Sequence, residues 1–159
     1  MSGADWLRNE RGEWYVAAQA GLMAAVLAAP MLDGRASASW SDATVVTGGL
    51  FVIVGLAFMV LGSVGLGRNL SPFPKPKDTS SLVETGVFAI VRHPIYTGIS
   101  LCAVGWSWVN HSIAAFVAAL VLLAFFDIKA RREERWLQAK FSGYEAYRAR
   151  VKKLIPFVY

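Results

Sequence analysis

Two short stretches hold most of the side chains that could do chemistry. The first is Arg92-His93-Pro94-Ile95-Tyr96-Thr97-Gly98. Pro94 suits the first turn of a helix, where its missing N–H costs nothing, and a helix start leaves backbone N–H groups without intrahelical partners. Arg92 and His93 beside those groups would make a corner for an anion, such as the carboxylate of a small zwitterionic cofactor. A plainer reading stands on the same residues. His93 lies near the cap, Arg92 is a base at a membrane surface with its stem along apolar neighbours, and Gly98 allows close helix packing. The second stretch carries Lys129, Arg131, Arg132, Glu133, Glu134 and Arg135. Lys129 and Glu133 are one turn apart and share a helix face, where a carboxylate could bind ribose hydroxyls or face a sulfonium cation. As an isolated surface the same run would be a solvated, ion-paired face, worth roughly a few tenths of a kcal/mol per pair.

Other chemistries find little support. Gly62-Ser63-Val64-Gly65-Leu66-Gly67 is glycine-rich, but it misses the dinucleotide-binding spacing and follows no strand. Small residues for helix packing explain it better. His93 and His111 are predicted on opposite membrane faces and cannot share a metal, so no metal site is expected. Spacing suggests no Ser-His-Asp set. Cys102 is the single cysteine, which excludes an internal disulfide, and within an apolar stretch it reads as a small buried hydrophobe. No Asp, Glu, Lys or Arg sits at mid-depth in an apolar segment, which weakens a proton-coupled transporter.

The elements that must position these residues are apolar. Hydrophobic residues make up 55% of the 159-residue chain and charged residues 17%, against about 25% charged in soluble domains. Four segments stand out: Trp14 to Leu32, Ala43 to Leu66, Ile95 to Val109 and Ile113 to Phe126. About 20 residues cross a hydrocarbon core, so the first two are long enough and the last two are shorter. Only Asn110, His111 and Ser112 separate the last two, which predicts a tight helical hairpin whose second arm runs on through Asp127 into the basic tail. The predicted architecture is all-α and integral to the membrane, with four transmembrane helices at about 14–32, 43–66, 94–109 and 112–127. A loop over 67–93 and a helical extension over 128–159 complete a single domain, 1–159. Ala36-Ser37-Ala38 looks like a cleavage site, but Asp5, Glu10 and Glu13 accompany Arg8 and Arg11 in the leader. A signal peptide has a net-positive leader and a shorter apolar core, so the first segment is expected to be a retained span.

The net charge of +5 follows the membrane rather than a nucleic acid. Nine of the sixteen Lys and Arg lie after residue 128, interleaved with Glu and large apolar residues, as topology signals and anionic-lipid contacts are. With four spans, Arg8, Arg11, Arg68, Lys75, Lys77, Arg92 and the nine C-terminal bases fall on one side, and Arg35 alone on the other. The positive-inside rule puts both termini and the 67–93 loop in the cytosol. The prolines of Ser71-Pro72-Phe73-Pro74-Lys75-Pro76-Lys77 favour an extended path there.

Together these segments resemble the isoprenylcysteine carboxyl methyltransferase family and the related phospholipid methyltransferases. Residues Ser80 to Gly98 look like the family's Leu-Val-x-x-Gly-x-Tyr-x-x-x-Arg-His-Pro-x-Tyr-x-Gly signature. Glu133-Glu134-Arg135-Trp136-Leu137, Phe141-Ser142-Gly143-Tyr144-Glu145-Ala146-Tyr147 and Leu154-Ile155-Pro156 are similar to its Glu-Glu-x-x-Leu, Phe-Gly-x-x-Tyr-x-x-Tyr and terminal Ile-Pro pattern. The resemblance covers about residues 62 to 157. It implies methyl transfer from S-adenosyl-L-methionine to a lipophilic acceptor, a small molecule or a lipid, at the cytosolic face of the bilayer. It further implies that Ser80, Ser81, Leu82, Val83, Phe88, Arg92, His93, Pro94, Ile95, Tyr96 and Glu133 bind the cofactor. Lys129 and Glu134 would lie near the substrate or the transfer centre. Two departures matter. Phe88 replaces the family's usual Tyr, and Lys129 stands where prenyl-protein methylating members have Arg. A guanidinium grips a carboxylate bidentately and an ammonium is a point charge, so the departure counts against a prenylcysteine carboxylate.

Three readings therefore compete: the methyltransferase, a sterol-reductase-like NADPH enzyme with a similar turn, and a small membrane adaptor or transporter without catalysis. Carboxylate, thiol and amine acceptors all suit the architecture, and small-residue runs in the second span would permit helix pairing into an oligomer.

Overall fold

A computed structural model describes residue 9, residues 11–33 and residues 43–159. Arg8 and Arg35 of the charge-bias argument, and the Ala36–Ala38 triplet, lie outside the described residues. The described chain is helical, with helices α1 (Glu13–Ala28), α2 (Ala43–Leu66), α3 (Pro94–Val109), α4 (Ile113–Lys140) and α5 (Tyr144–Arg150). Short 3-10 turns follow α1 at Ala29–Met31 and α2 at Gly67–Asn69, and a third sits at Gly86–Ala89. Among the described residues three helices are long and apolar enough to cross a membrane: α1 with its 3-10 turn, α2 with its own, and α4. The chain is a multi-pass membrane protein. At 16 residues, α3 measures about 24 Å, shorter than those three.

The α2–α3 pair owes its close packing to glycine. Gly48, Gly55 and Gly62 recur every seventh residue on α2, as Gly98 and Gly105 do on α3, so each set stays on one helical face. A Cβ added at Gly55 would lie 2.6 Å from the Gly98 carbonyl oxygen, and one at Gly48 would lie 2.8 Å from that of Gly105. Gly62 meets Pro94 and Ile95, and Gly65 meets the Phe88 ring. The small-residue run is thus used within the chain, and it presses α2 against the start of α3.

The N-terminus of α4 is capped twice. Ser112 accepts from the Ala115 amide and donates to Asp33, whose carboxylate also accepts from the Ala114 amide at 3.1 Å. A carboxylate at a helix N-terminus satisfies orphan N–H groups and complements the helix dipole. From there α4 runs for 28 residues as one rod. Its first part, Ile113 to Phe126, carries no charge. From Asp127 to Arg135 seven of nine residues are charged.

Two clusters hold the assembly. Val26, Ile99, Ala103, Ala119, Leu122 and Phe126 join α1, α3 and α4. Tyr144, Tyr147 and Val151 pack with Leu82, Leu137 and Phe141 beyond the spans. After α5 the chain returns alongside the turn before α3, where Val91 and Lys152 form an isolated parallel bridge. The amides of Arg92 and His93 donate to the carbonyls of Lys152 and Lys153 at 2.8 and 3.1 Å, and Thr97 Oγ1 donates to Leu154 O at 2.6 Å.

Candidate active site

The start of α3 and the charged part of α4 meet through Glu134. Glu134 is the centre of the contact, with 5% of its side chain exposed. It accepts from Arg92 Nε at 2.9 Å and from Arg92 Nη2 at 2.8 Å, and its Oε1 lies 3.1 Å from His93 Nε2. Arg92 Nη1 also donates to the carbonyls of Arg148 and Val151. The Arg92 guanidinium is therefore committed to an internal carboxylate and two carbonyls. Burial alone would raise the Glu134 carboxyl; the hydrogen bond and charge of His93, with those of Arg92, outweigh it and hold the group at about 2.

Glu133, on the neighbouring face, takes a different place. Its Oε2 accepts from the Tyr96 hydroxyl at 2.7 Å and lies 3.8 Å from His93 Nδ1. His93 is thus held between two carboxylates. Its ring stacks on Tyr96 with centroids 5.3 Å apart, and Tyr96 stacks on Phe126 at 4.8 Å. The first intrahelical amide bond of α3 runs from Thr97 N–H to His93 O. The amides of Ile95 and Tyr96 come before it, as expected for a helix opening on proline.

Lys129 lies one turn before Glu133 and is 2% exposed. Its Nζ donates to Gln19 Oε1 at 2.6 Å and to Pro72 O at 3.4 Å, and lies 5.1 Å from the Tyr96 ring centre. Burial pushes this ammonium down to about 8, against the opposing charge of Glu133.

The loop after α2 closes the space between these groups. Asn69 pairs with the Ser81 backbone in both directions, at 3.2 and 3.3 Å. Lys140 Nζ gathers the Lys77 carbonyl, Asp78 O at 3.0 Å and Ser80 Oγ at 2.9 Å. Lys75 N donates to Arg11 O, and the Arg11 guanidinium lies over Phe73 at 4.5 Å. A cavity of about 370 Å³ lies beneath this loop, within the range of small-molecule sites.

Twelve of the thirteen residues singled out from the sequence line this cavity: Ser80 to Val83, Phe88, Arg92 to Tyr96, Lys129 and Glu133. Glu134 does not. It lies behind His93, where its bonds hold the ring. Sequence reasoning did not single out Gln19, Ser63, Asn69, Leu137, Phe141, Tyr144 or Tyr147, which also line the wall. Tyr147 OH donates to Phe88 O at 2.7 Å. The Tyr144 hydroxyl is buried without a hydrogen-bond partner. Burial raises both phenols well above the usual tyrosine range. Among the described residues no cluster of three His, Cys, Asp or Glu could hold a metal. His93 and His111 stand beyond opposite ends of α3.

Residue types in the cavity fit a nucleoside–amino-acid cofactor. The helix-start amides suit a carboxylate, Glu133 suits hydroxyls or an ammonium, and Leu82, Leu137 and Phe141 offer an apolar wall for a flat base. The fold and this site define a multi-pass α-helical membrane protein with a cavity of small-molecule size. Comparison with known sequences narrows the class. The family model for phospholipid methyltransferase matches residues 43–143, and the chain belongs to that family. It is 35% identical over 114 residues to the protein-S-isoprenylcysteine O-methyltransferase of Schizosaccharomyces pombe, covering 65% of this chain and 48% of that protein. The protein of the same name from Saccharomyces cerevisiae is 33% identical over 117 residues, covering 71% and 49%. The nickel-cobalt-cadmium resistance protein NccN of Alcaligenes xylosoxydans xylosoxydans is 25% identical over 152 residues, covering 94% and 65%. The chain spans about half the length of the two methyltransferases.

Proposed function

We propose that this chain is a membrane methyltransferase that uses S-adenosyl-L-methionine to methylate a lipophilic acceptor at the cytosolic face of the bilayer. One observation carries the reading: a single cavity joins the α3 start, Glu133 and Lys129, so the two distant sequence blocks wall one space. The Ile95 and Tyr96 amides receive the cofactor's carboxylate. Glu133, steadied by Tyr96, accepts from ribose hydroxyls or the ammonium through its second oxygen. Ser80 to Val83 and Phe88 close the nucleoside side. When bound, the cofactor supplies a sulfonium methyl group for in-line displacement by an acceptor lone pair.

What the protein adds is alignment and dryness. The clamped loop excludes water, and the rigid His93–Tyr96–Phe126 stack fixes the wall against which the reacting groups meet. Glu134 is assigned to positioning His93 rather than to proton transfer, because it stands behind that ring and is held ionised. The acceptor enters from the bilayer beside Lys129, and the basic residues around the cavity support a cytosolic side for it and for both termini. The chain acts as one domain of four spans, α3 being the fourth.

Calorimetry on detergent-solubilised protein with S-adenosylhomocysteine tests the proposal. Micromolar-range binding is expected, and Glu133→Ala should weaken it about tenfold or more, the scale of one hydrogen bond to a charged group. Absence of both heat and thermal shift in the unsubstituted chain would sink it.

A further inference from the structure

The turn after Leu154 presents three apolar side chains to its surroundings: Phe157 is 83% exposed, Val158 70% and Ile155 46%. The turn is nonetheless firmly built. The amides of Leu154 and Ile155 both donate to Tyr159 O, at 2.7 and 2.8 Å, and those of Val158 and Tyr159 donate to Ile155 O. The Tyr159 hydroxyl donates to Asp127 Oδ1 at 2.9 Å and accepts from Lys153 Nζ and Arg131 Nη2. Lys153 Nζ reaches the same Asp127 oxygen at 2.7 Å. Within this frame Phe157 holds a φ of 64°. That left-handed conformation is costly for a residue with a side chain and persists only where its surroundings impose it. The turn therefore fixes a strained backbone whose aromatic ring points away from the protein.

The point of attachment decides what that ring meets. Asp127 directly follows the charge-free stretch Ile113 to Phe126 of α4, a helix long and apolar enough to span a membrane. Val117, Val121, Ala124 and Ile128 are exposed, and their spacing puts them on one helical face. On a spanning helix such a stripe meets acyl chains. It gives way to Arg131 and Arg135, both exposed, as basic residues do at head-group level. The turn is tied to α4 at Asp127 and Arg131, so it stands beside the end of this stripe. Exposed Lys152 adds a base with no carboxylate at ion-pair distance among the described residues. An exposed apolar patch marks an interaction site, and continuity with the stripe, with bases at its rim, fits a phospholipid leaflet. We propose that Ile155, Phe157 and Val158 insert into the bilayer beside α4, making residues 155–159 an interfacial anchor. The anchor continues residues 152–154, whose carbonyls hold Arg92, His93 and Thr97, so lipid contact steadies the cavity wall through the backbone.

Site-specific photocrosslinking of the full chain in phosphatidylcholine–phosphatidylglycerol nanodiscs tests this. Benzoylphenylalanine replaces, one at a time, Phe157, Val158, Val117 as the span reference, and Glu145 as the aqueous reference, 74% exposed. Phospholipid adducts at 157 and 158 should match those at 117. They should exceed those at 145 about tenfold or more, the ratio that burying one large apolar side chain supports. Mass spectrometry should place the attachment on an acyl chain. Position 158 keeps the test open if the strained position 157 rejects the larger side chain. Yields at the level of position 145, or capture of a second copy of the chain in place of lipid, would overturn the proposal.

Discussion

Replacing Glu134 by Gln keeps the side chain's size and one acceptor oxygen while removing its charge. In the native protein that charge faces two Arg92 nitrogens at 2.8 and 2.9 Å and His93 Nε2 at 3.1 Å. The carboxyl is held at about 2, against about 4.3 in an unfolded chain. At about 1.4 kcal/mol per unit, that difference is worth on the order of 3 kcal/mol at neutral pH. Removing one partner of a buried pair costs about 3–5 kcal/mol. The substituted amide would still accept one bond, and Arg92 keeps two carbonyls, so about 2–3 kcal/mol is the expected loss. For a chain of this size that lowers the melting midpoint by roughly 5–10 °C. The pH dependence has a defined sign. The folded value lies below the unfolded one, so the stabilisation is complete above about pH 4.5 and is lost as pH falls toward about 2. Tryptophan-fluorescence melts in nonionic detergent, taken from pH 7 down to pH 2.5, should show Glu134→Gln well below the unsubstituted protein at neutral pH. The two midpoints should converge on acidification. Equal midpoints at pH 7, or a gap that persists unchanged at pH 2.5, would refute the electrostatic account.

Three further outcomes follow from particular contacts. Tyr144→Phe removes a buried hydroxyl without a partner and should raise stability by about 1 kcal/mol, whereas Tyr147→Phe loses its bond to Phe88 O and should lower it by about as much; thermal melts of both compare them. Gly98→Ala drives a Cβ into the Gly55 carbonyl and should cost roughly 1–3 kcal/mol or more as overpacking, visible as a lowered melting midpoint. Lys140→Met leaves the Lys77, Asp78 and Ser80 oxygens unheld; stopped-flow release of S-adenosylhomocysteine should quicken about tenfold, by the loss of one charged hydrogen-bond cluster.

The helices were largely legible because runs without charge leave few alternatives: Trp14 to Leu32, Ala43 to Leu66 and the rod from Ile113 through Asp127 all appear. The union of Arg92-His93 with the Glu133-Glu134 pair was legible only through resemblance, since no periodicity links residues forty apart. Which glutamate faces the cavity was not. Positions 133 and 134 point about 100° apart on a helix, and what decides between them is where Arg92 lands, a tertiary fact. The anion corner assigned to Arg92 and His93 illustrates this, because both side chains, though part of the cavity wall, are bonded to Glu134. Gln19 carried a signal, one amide in an apolar span, but its partner lies 110 residues away. The pairing of 91–93 with 152–153 involves too few residues to leave a pattern.

That last pairing bears on the timing of synthesis. His93 and Arg92 are anchored through their backbones to Lys152 and Lys153, and Thr97 to Leu154. The wall they form cannot be completed until about sixty further residues have left the ribosome, a lag of roughly 3–12 s at ordinary elongation rates. During that interval the spans can enter the bilayer while the cavity stays unassembled. A ribosome-bound chain arrested before residue 150 should therefore be membrane-inserted and protease-protected, yet fail to crosslink a photoreactive S-adenosylhomocysteine analogue. Assembly of the cavity thus trails insertion of the spans.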